Sequence, residues 1–124
     1  MHTPMLKLGD VLIVTVQAAL TDAALIDLRT ELADSVGRLR SKGVVVDVSL
    51  LDVLDSFASR TLVDIAKVAH LRGAHAIIVG IQPDVAIAMV QFRLSLEPLR
   101  VALDLDEALT MLDRLTGKGA EDGR

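Results

Sequence analysis

The chain reads as an α/β domain built on a mixed, mostly parallel sheet of about five strands with about four helices. Three observations predict this. Short β-branched or apolar runs recur at residues 11–16, 44–48 and 76–79. Longer stretches between them place apolar residues at spacings of three and four, the helical period. At 124 residues and 52% apolar content, the chain holds enough material for one core and one domain. Strands that alternate with helices close into a parallel sheet through right-handed crossovers.

Residues 5–8 are apolar at their ends, and Gly9-Asp10 reads as a hairpin turn into the strand at 11–16. Thr21 or Asp22 suits the N-cap of a first helix. Leu25, Leu28, Leu32, Val36 and Leu39 form its apolar stripe, with Asp27, Glu31, Asp34 and Arg38 largely opposite. Arg38, Arg40 and Lys42 complement the dipole at its end, and Gly43 is placed to stop it. The strand at 44–48 has no polar face and belongs at the centre, covered on both sides.

A loop carrying Asp52 and Asp55 follows. Asp55 is a natural N-cap, with Ser56 at the first helical position. The second helix buries Ala58, Leu62, Ile65, Ala66 and Ala69 and turns Arg60, Asp64 and Lys67 to water. His70-Leu71-Arg72-Gly73 closes it, and the next strand ends at Gly80. Pro83 suits the first position of a third helix running over 84–93, because its missing N–H is no loss there.

That third helix is unusual. Val85, Ala86, Ile87, Ala88, Met89 and Val90 leave almost no polar face. A helix apolar all round wants burial on more than one side. In a chain this small the second side is either another protein, which makes Ile87 and Met89 partner-binding candidates, or the rest of the domain. Residues 94–100, with Pro98, read as a loop and Val101-Ala102 as a minimal edge strand. Asp104 to Glu107 is a capping box before the stripe of Leu105, Ala108, Leu109, Leu112 and Leu115. Residues 117–124 are polar and glycine-rich and are expected to form a flexible tail.

Composition excludes several functions. Phe57 and Phe92 are the only aromatics, so stacking platforms for bases are absent. A net charge of −4 argues against a nucleic-acid surface. Without cysteine there is no disulfide, thiolate metal site or Cys nucleophile. The start, Met1-His2-Thr3-Pro4, lacks the pattern of a signal peptide, and no apolar run approaches the ~20 residues of a membrane span. The expectation is a cytoplasmic protein with no membrane partner. Neither a nucleotide-binding glycine motif nor a nucleophile elbow occurs. His70 and His75 lack the spacing of a zinc pair and read as a helix-terminal charge and a loop residue. Asp47, Asp52 and Asp55 admit a magnesium or phosphotransfer cluster, but loop carboxylates and caps are the simpler reading. No metal or cofactor is expected.

Ser56 admits two readings. One is a helix-start serine with no further role. The other is a kinase target at the carboxyl end of a central strand, the edge where open α/β sheets place their ligands. Phosphate there adds about −1.5 to −2 charges at a helix N-terminus, which the dipole favours and Asp52 and Asp55 oppose. Arg60, one turn on, offsets part of that repulsion.

The segment Val46-Asp47-Val48-Ser49, followed by Leu54-Asp55-Ser56-Phe57 and an alanine-rich helix, resembles the phosphorylation motif of STAS domains, the anti-sigma-factor antagonist family. Pro4, Leu6 and Leu8, the Asp55-Ser56-Phe57 tripeptide, and Gly80-Ile81-Gln82-Pro83 with Val85-Ala86 are most similar to the RsbS-type stressosome scaffold. Ala102-Leu103-Asp104-Leu105 resembles the family's approach to its last helix. The resemblance spans residues 4–116, a single STAS domain, and carries the phosphoacceptor over to Ser56 alone. It implies a non-catalytic phospho-switch that sequesters an RsbT-like serine/threonine switch kinase beside RsbR-like sensor paralogues. It also implies self-association and a PP2C-type phosphatase that resets the switch. Asp52, Asp55, Phe57 and Arg60 then join Ile87 and Met89 as partner-binding candidates. Two other functions stay open: a simple antagonist that binds an anti-sigma kinase directly and stays small, and an enzyme working through the three aspartates.

Overall fold

The computed structural model describes residues 4–17, 21–97 and 99–117. The expected tail beyond Gly117, the first three residues and Pro98 lie outside the described residues. The elements run β1 (Met5–Leu8), β2 (Val11–Thr15), α1 (Asp22–Leu39), β3 (Gly43–Asp47), α2 (Ser56–Leu71), β4 (His75–Val79), α3 (Pro83–Gln91), β5 (Arg100–Ala102) and α4 (Leu105–Thr116). The sheet order follows the chain, β1-β2-β3-β4-β5. β1 and β2 form an antiparallel hairpin, and every later pairing is parallel. This is the mixed, mostly parallel sheet that the alternation predicts.

Side-chain alternation divides the core into two layers. Val44 and Val46 of β3 and Ala76 and Ile78 of β4 face one layer, where they meet Leu28, Leu32, Leu62, Ile65, Val85 and Met89 from α1, α2 and α3. Val45, Ile77 and Val79 face the other, where Ala108 and Leu112 of α4 cover them. β3 and β4 are therefore buried on both faces, as their lack of polar positions requires. α4 covers β3, β4 and β5. Leu6 and Leu8 of β1 stay exposed on the hairpin.

Two sequence expectations change. α1 does not end at Gly43. It ends at Leu39, with Arg40 in the left-handed region (φ 52°) and Ser41 N–H donating to the Val36 carbonyl at 3.1 Å. Gly43 instead opens β3, where an added Cβ would come within 2.8 Å of the Leu112 side chain. Its smallness seats α4. The second change is Met89, which the core holds at 9% exposure, while Ile87 is 56% exposed. α3 packs through Val85 and Met89 and leaves Ile87 and Val90 uncovered.

Candidate functional site

The site forms where β3 ends. Asp47 closes the strand, and its Oδ1 accepts from Ser49 N–H at 2.8 Å. Val48 N–H donates to the Val79 carbonyl at 3.0 Å, which ties the loop to β4. Leu51 and Leu54 are buried and anchor the loop from below, while Asp52 and Val53 point outward. Asp55 then caps α2, its Oδ1 accepting from Ala58 N–H at 2.8 Å. Ser56 occupies the first helical position and is exposed. Neighbouring Ser59 is 3% exposed, its hydroxyl without a partner among the described residues, so no kinase reaches it without unfolding the helix.

The turn between β4 and α3 braces this loop. Gly80 adopts φ 79°, and a Cβ there would lie 2.9 Å from Ser49 Cβ and 3.0 Å from Asp47 Oδ1. Gln82 Nε2 donates to the Ser49 carbonyl at 2.7 Å and reaches Asp52 Oδ1 at 3.4 Å. The sequence points to neither contact, because Gln82 stands beside Ser49 only once β3 and β4 pair. The Gln-Pro step before α3 is the one local signal.

A groove of about 420 Å³ opens between the loop and α3. Asp52, Asp55 and Asp84 line it together with Ser56, and Val85, Ala88, Phe92 and Leu94 supply its apolar wall. Among the described residues none that lines it is cationic. The groove is therefore acidic and greasy at once, suited to a protein surface that brings cations around an apolar anchor. Exposed Ile87, Val90 and Phe92 continue the apolar surface along and just beyond α3.

Of the sequence-expected partner residues, Asp52 and Asp55 lie in the groove with Ser56. Phe57 is half-buried and Arg60 is exposed on the next turn; neither lines the groove. Met89 faces the core. Asp84 belongs to the groove and was not among the expected residues. Asp47 and Asp55 each hold a backbone N–H, and among the described residues no group of three or more His, Cys, Asp or Glu is placed to hold a metal ion. Among the described residues no helix is long and apolar enough to cross a membrane.

The sequence pattern of the STAS domain matches residues 3–108. The fold is similar to a serine-to-glutamate variant of Moorella thermoacetica RsbS, at 33% identity and a TM-score of 0.77, over 94% of this chain and 98% of that one. It is similar to a chain from the structure described as the molecular architecture of the stressosome, a signal integration and transduction hub. There the identity is 35% and the TM-score 0.76, over 91% of this chain and 98% of that one. The phosphorylated form of the Bacillus cell-fate determinant SpoIIAA, at 13% identity and a TM-score of 0.63 over 92% and 99%, shares the fold. No curated protein matches the chain.

Proposed function

This chain belongs to the STAS domain family, and we propose that it works there as a phosphorylation-controlled scaffold of a stressosome-type signalling assembly. In this reading it is an anti-sigma-factor antagonist that does no chemistry itself. It sequesters an RsbT-like serine/threonine kinase in the cytoplasm, beside RsbR-like sensor paralogues and further copies of itself, until Ser56 is phosphorylated. A PP2C-type phosphatase restores it. The observation that carries the reading is Ser56 itself, an exposed hydroxyl at a helix start on the rim of an acidic, apolar-walled groove. Similarity to RsbS over 94% of the chain supports it.

The geometry supports a switch that acts on the partner more than on the fold. A phosphate on Ser56 adds about −1.5 to −2 charges where three carboxylates already stand. The N–H groups at the start of α2 offset part of the repulsion, although Asp55 already occupies Ala58 N–H. The helix therefore survives phosphorylation. A kinase packed against the groove loses its contact, because it must bury a dianion among aspartates.

The test uses the wild type, Ser56→Ala and Ser56→Asp with a cognate switch kinase and ATP. Wild type gains a single phosphate, located on Ser56 by mass spectrometry, and releases the kinase. Ser56→Ala folds normally and retains the kinase; Ser56→Asp retains little. Phosphate on another residue, or equal retention by the Ala and Asp forms, refutes the assignment.

A further inference from the structure

A second cavity lies at the opposite end of the sheet from Ser56, where β4 and β5 begin and α2 ends. Its volume is about 440 Å³, within the range of small-molecule sites. Lys67 and His70 enter it from α2, His75 from β4 and Arg100 from β5. Among the described residues none that lines it is acidic, in a chain whose net charge is −4. The remaining wall is apolar: Ala76 and Leu99 are buried, and Leu71 stands 85% exposed at the lip.

This grouping has a local electrostatic cost. The His70 and His75 rings are 5.8 Å apart between centroids. Burial, then Arg100, then His70 hold His75 below its ordinary imidazole range. Lys67 shares the cleft, and Lys42 follows α1 nearby, its carbonyl accepting from His75 N–H at 3.0 Å. At the α2 carboxyl end the carbonyls of Val68, Ala69 and His70 accept from the N–H groups of Arg72, Gly73 and Ala74. Two cationic side chains and two imidazoles around an apolar floor answer one kind of ligand.

We propose that this cleft is a binding site for a small amphipathic anion, its charged head among Lys67, His70, His75 and Arg100 and its short apolar body along Leu71, Ala76 and Leu99. The site is independent of Ser56 and lies on a face that the groove does not use. Anion binding reverses the crowding at His75 and favours its protonated form, so affinity rises as pH falls through the imidazole range.

The experiment titrates the isotope-labelled full chain with sodium octanoate, octyl phosphate and n-octanol, followed by the backbone amide signals. Saturable shifts are expected at Lys67, His70, Leu71, His75, Ala76 and Arg100 for both anions, with the tighter head naming the ligand's class. n-Octanol binds at least about tenfold more weakly, since it lacks the charge. Octanoate binds more tightly at pH 6 than at pH 8, and the exposed pair Lys67→Glu with Arg100→Glu loses it while keeping the thermal midpoint. Equal affinity for octanol, shifts centred on the Ser56 groove, pH-independent affinity, or no shift at millimolar octanoate overturns the proposal. None of these outcomes bears on phosphorylation of Ser56.

Discussion

Gly80→Ala tests whether the β4–α3 turn holds the Ser56 loop in place. Gly80 sits at φ 79°, a conformation that costs a residue with a Cβ about 1–2 kcal/mol. The new methyl would lie 2.9 Å from Ser49 Cβ, 3.0 Å from Asp47 Oδ1 and 3.3 Å from Ser49 N. Those atoms do not yield freely, because Ser49 is held on both sides, by Asp47 and by Gln82. Overpacking of this kind costs about 1–3 kcal/mol, and a lost Asp47–Ser49 bond adds about 0.5–1.5. The expected total is about 2.5–6.5 kcal/mol. Gly73→Ala is the control: φ is 93° there but none of the described residues lies within 4 Å of the new methyl, so only the strain of about 1–2 kcal/mol remains. Urea unfolding followed by circular dichroism measures both. Hydrogen exchange adds the local readout, with faster exchange expected over residues 49–55 in Gly80→Ala alone. Equal destabilisation by the two substitutions, with unchanged exchange in the loop, refutes the bracing argument.

Asp55→Ala should cost about 1 kcal/mol through loss of the α2 cap, and Asp55→Asn much less because Asn also caps; chemical denaturation separates them. Met89→Ala, in the core, should cost about 2–5 kcal/mol, whereas exposed Ile87→Ala stays within about 0.5 kcal/mol. Ile87→Glu should leave the fold intact and weaken association with a second STAS chain, read by analytical ultracentrifugation; normal assembly places the contact elsewhere. His75 has a folded-state pKa below its unfolded value of 6.5, so the unfolded chain takes up that proton first. Its contribution is complete above that value and is lost as pH falls below it. His75→Asn should remove this part of the slope of stability against pH, seen by thermal melts below pH 7.

The element order and the caps were legible because they depend on neighbours within a few residues. Thr21, Asp55 and Asp104 each accept from the N–H three residues on, at 3.1, 2.8 and 2.9 Å, and the short polar side chain before an apolar run announces this. The exposure of Ser56 followed from its helix-start position. α3 was not legible in the same way. An apolar helix without a polar face carries no record of which side turns inward, so Met89 and Ile87 look equivalent until Val85 and Met89 meet the core.

Local chain chemistry was enough for the α/β class, the succession of strands and helices, and the helix-start serine that follows two aspartates. Periodicity and capping are local, and each is written within one or two turns of chain. What surrounds that serine depends on contacts between distant parts of the chain. Parallel pairing of β3 with β4 brings Gln82 to Ser49 and Asp52, and α3 brings Asp84 to the groove. Pairing of β4 with β5, toward the other end of the sheet, gathers His75 and Arg100 beside Lys67 and His70. Sheet formation also turned Gly43 from a helix stop into the opening residue of β3 and the seat of α4. Contacts across a sheet join residues far apart along the chain, and no local pattern records which of them will meet.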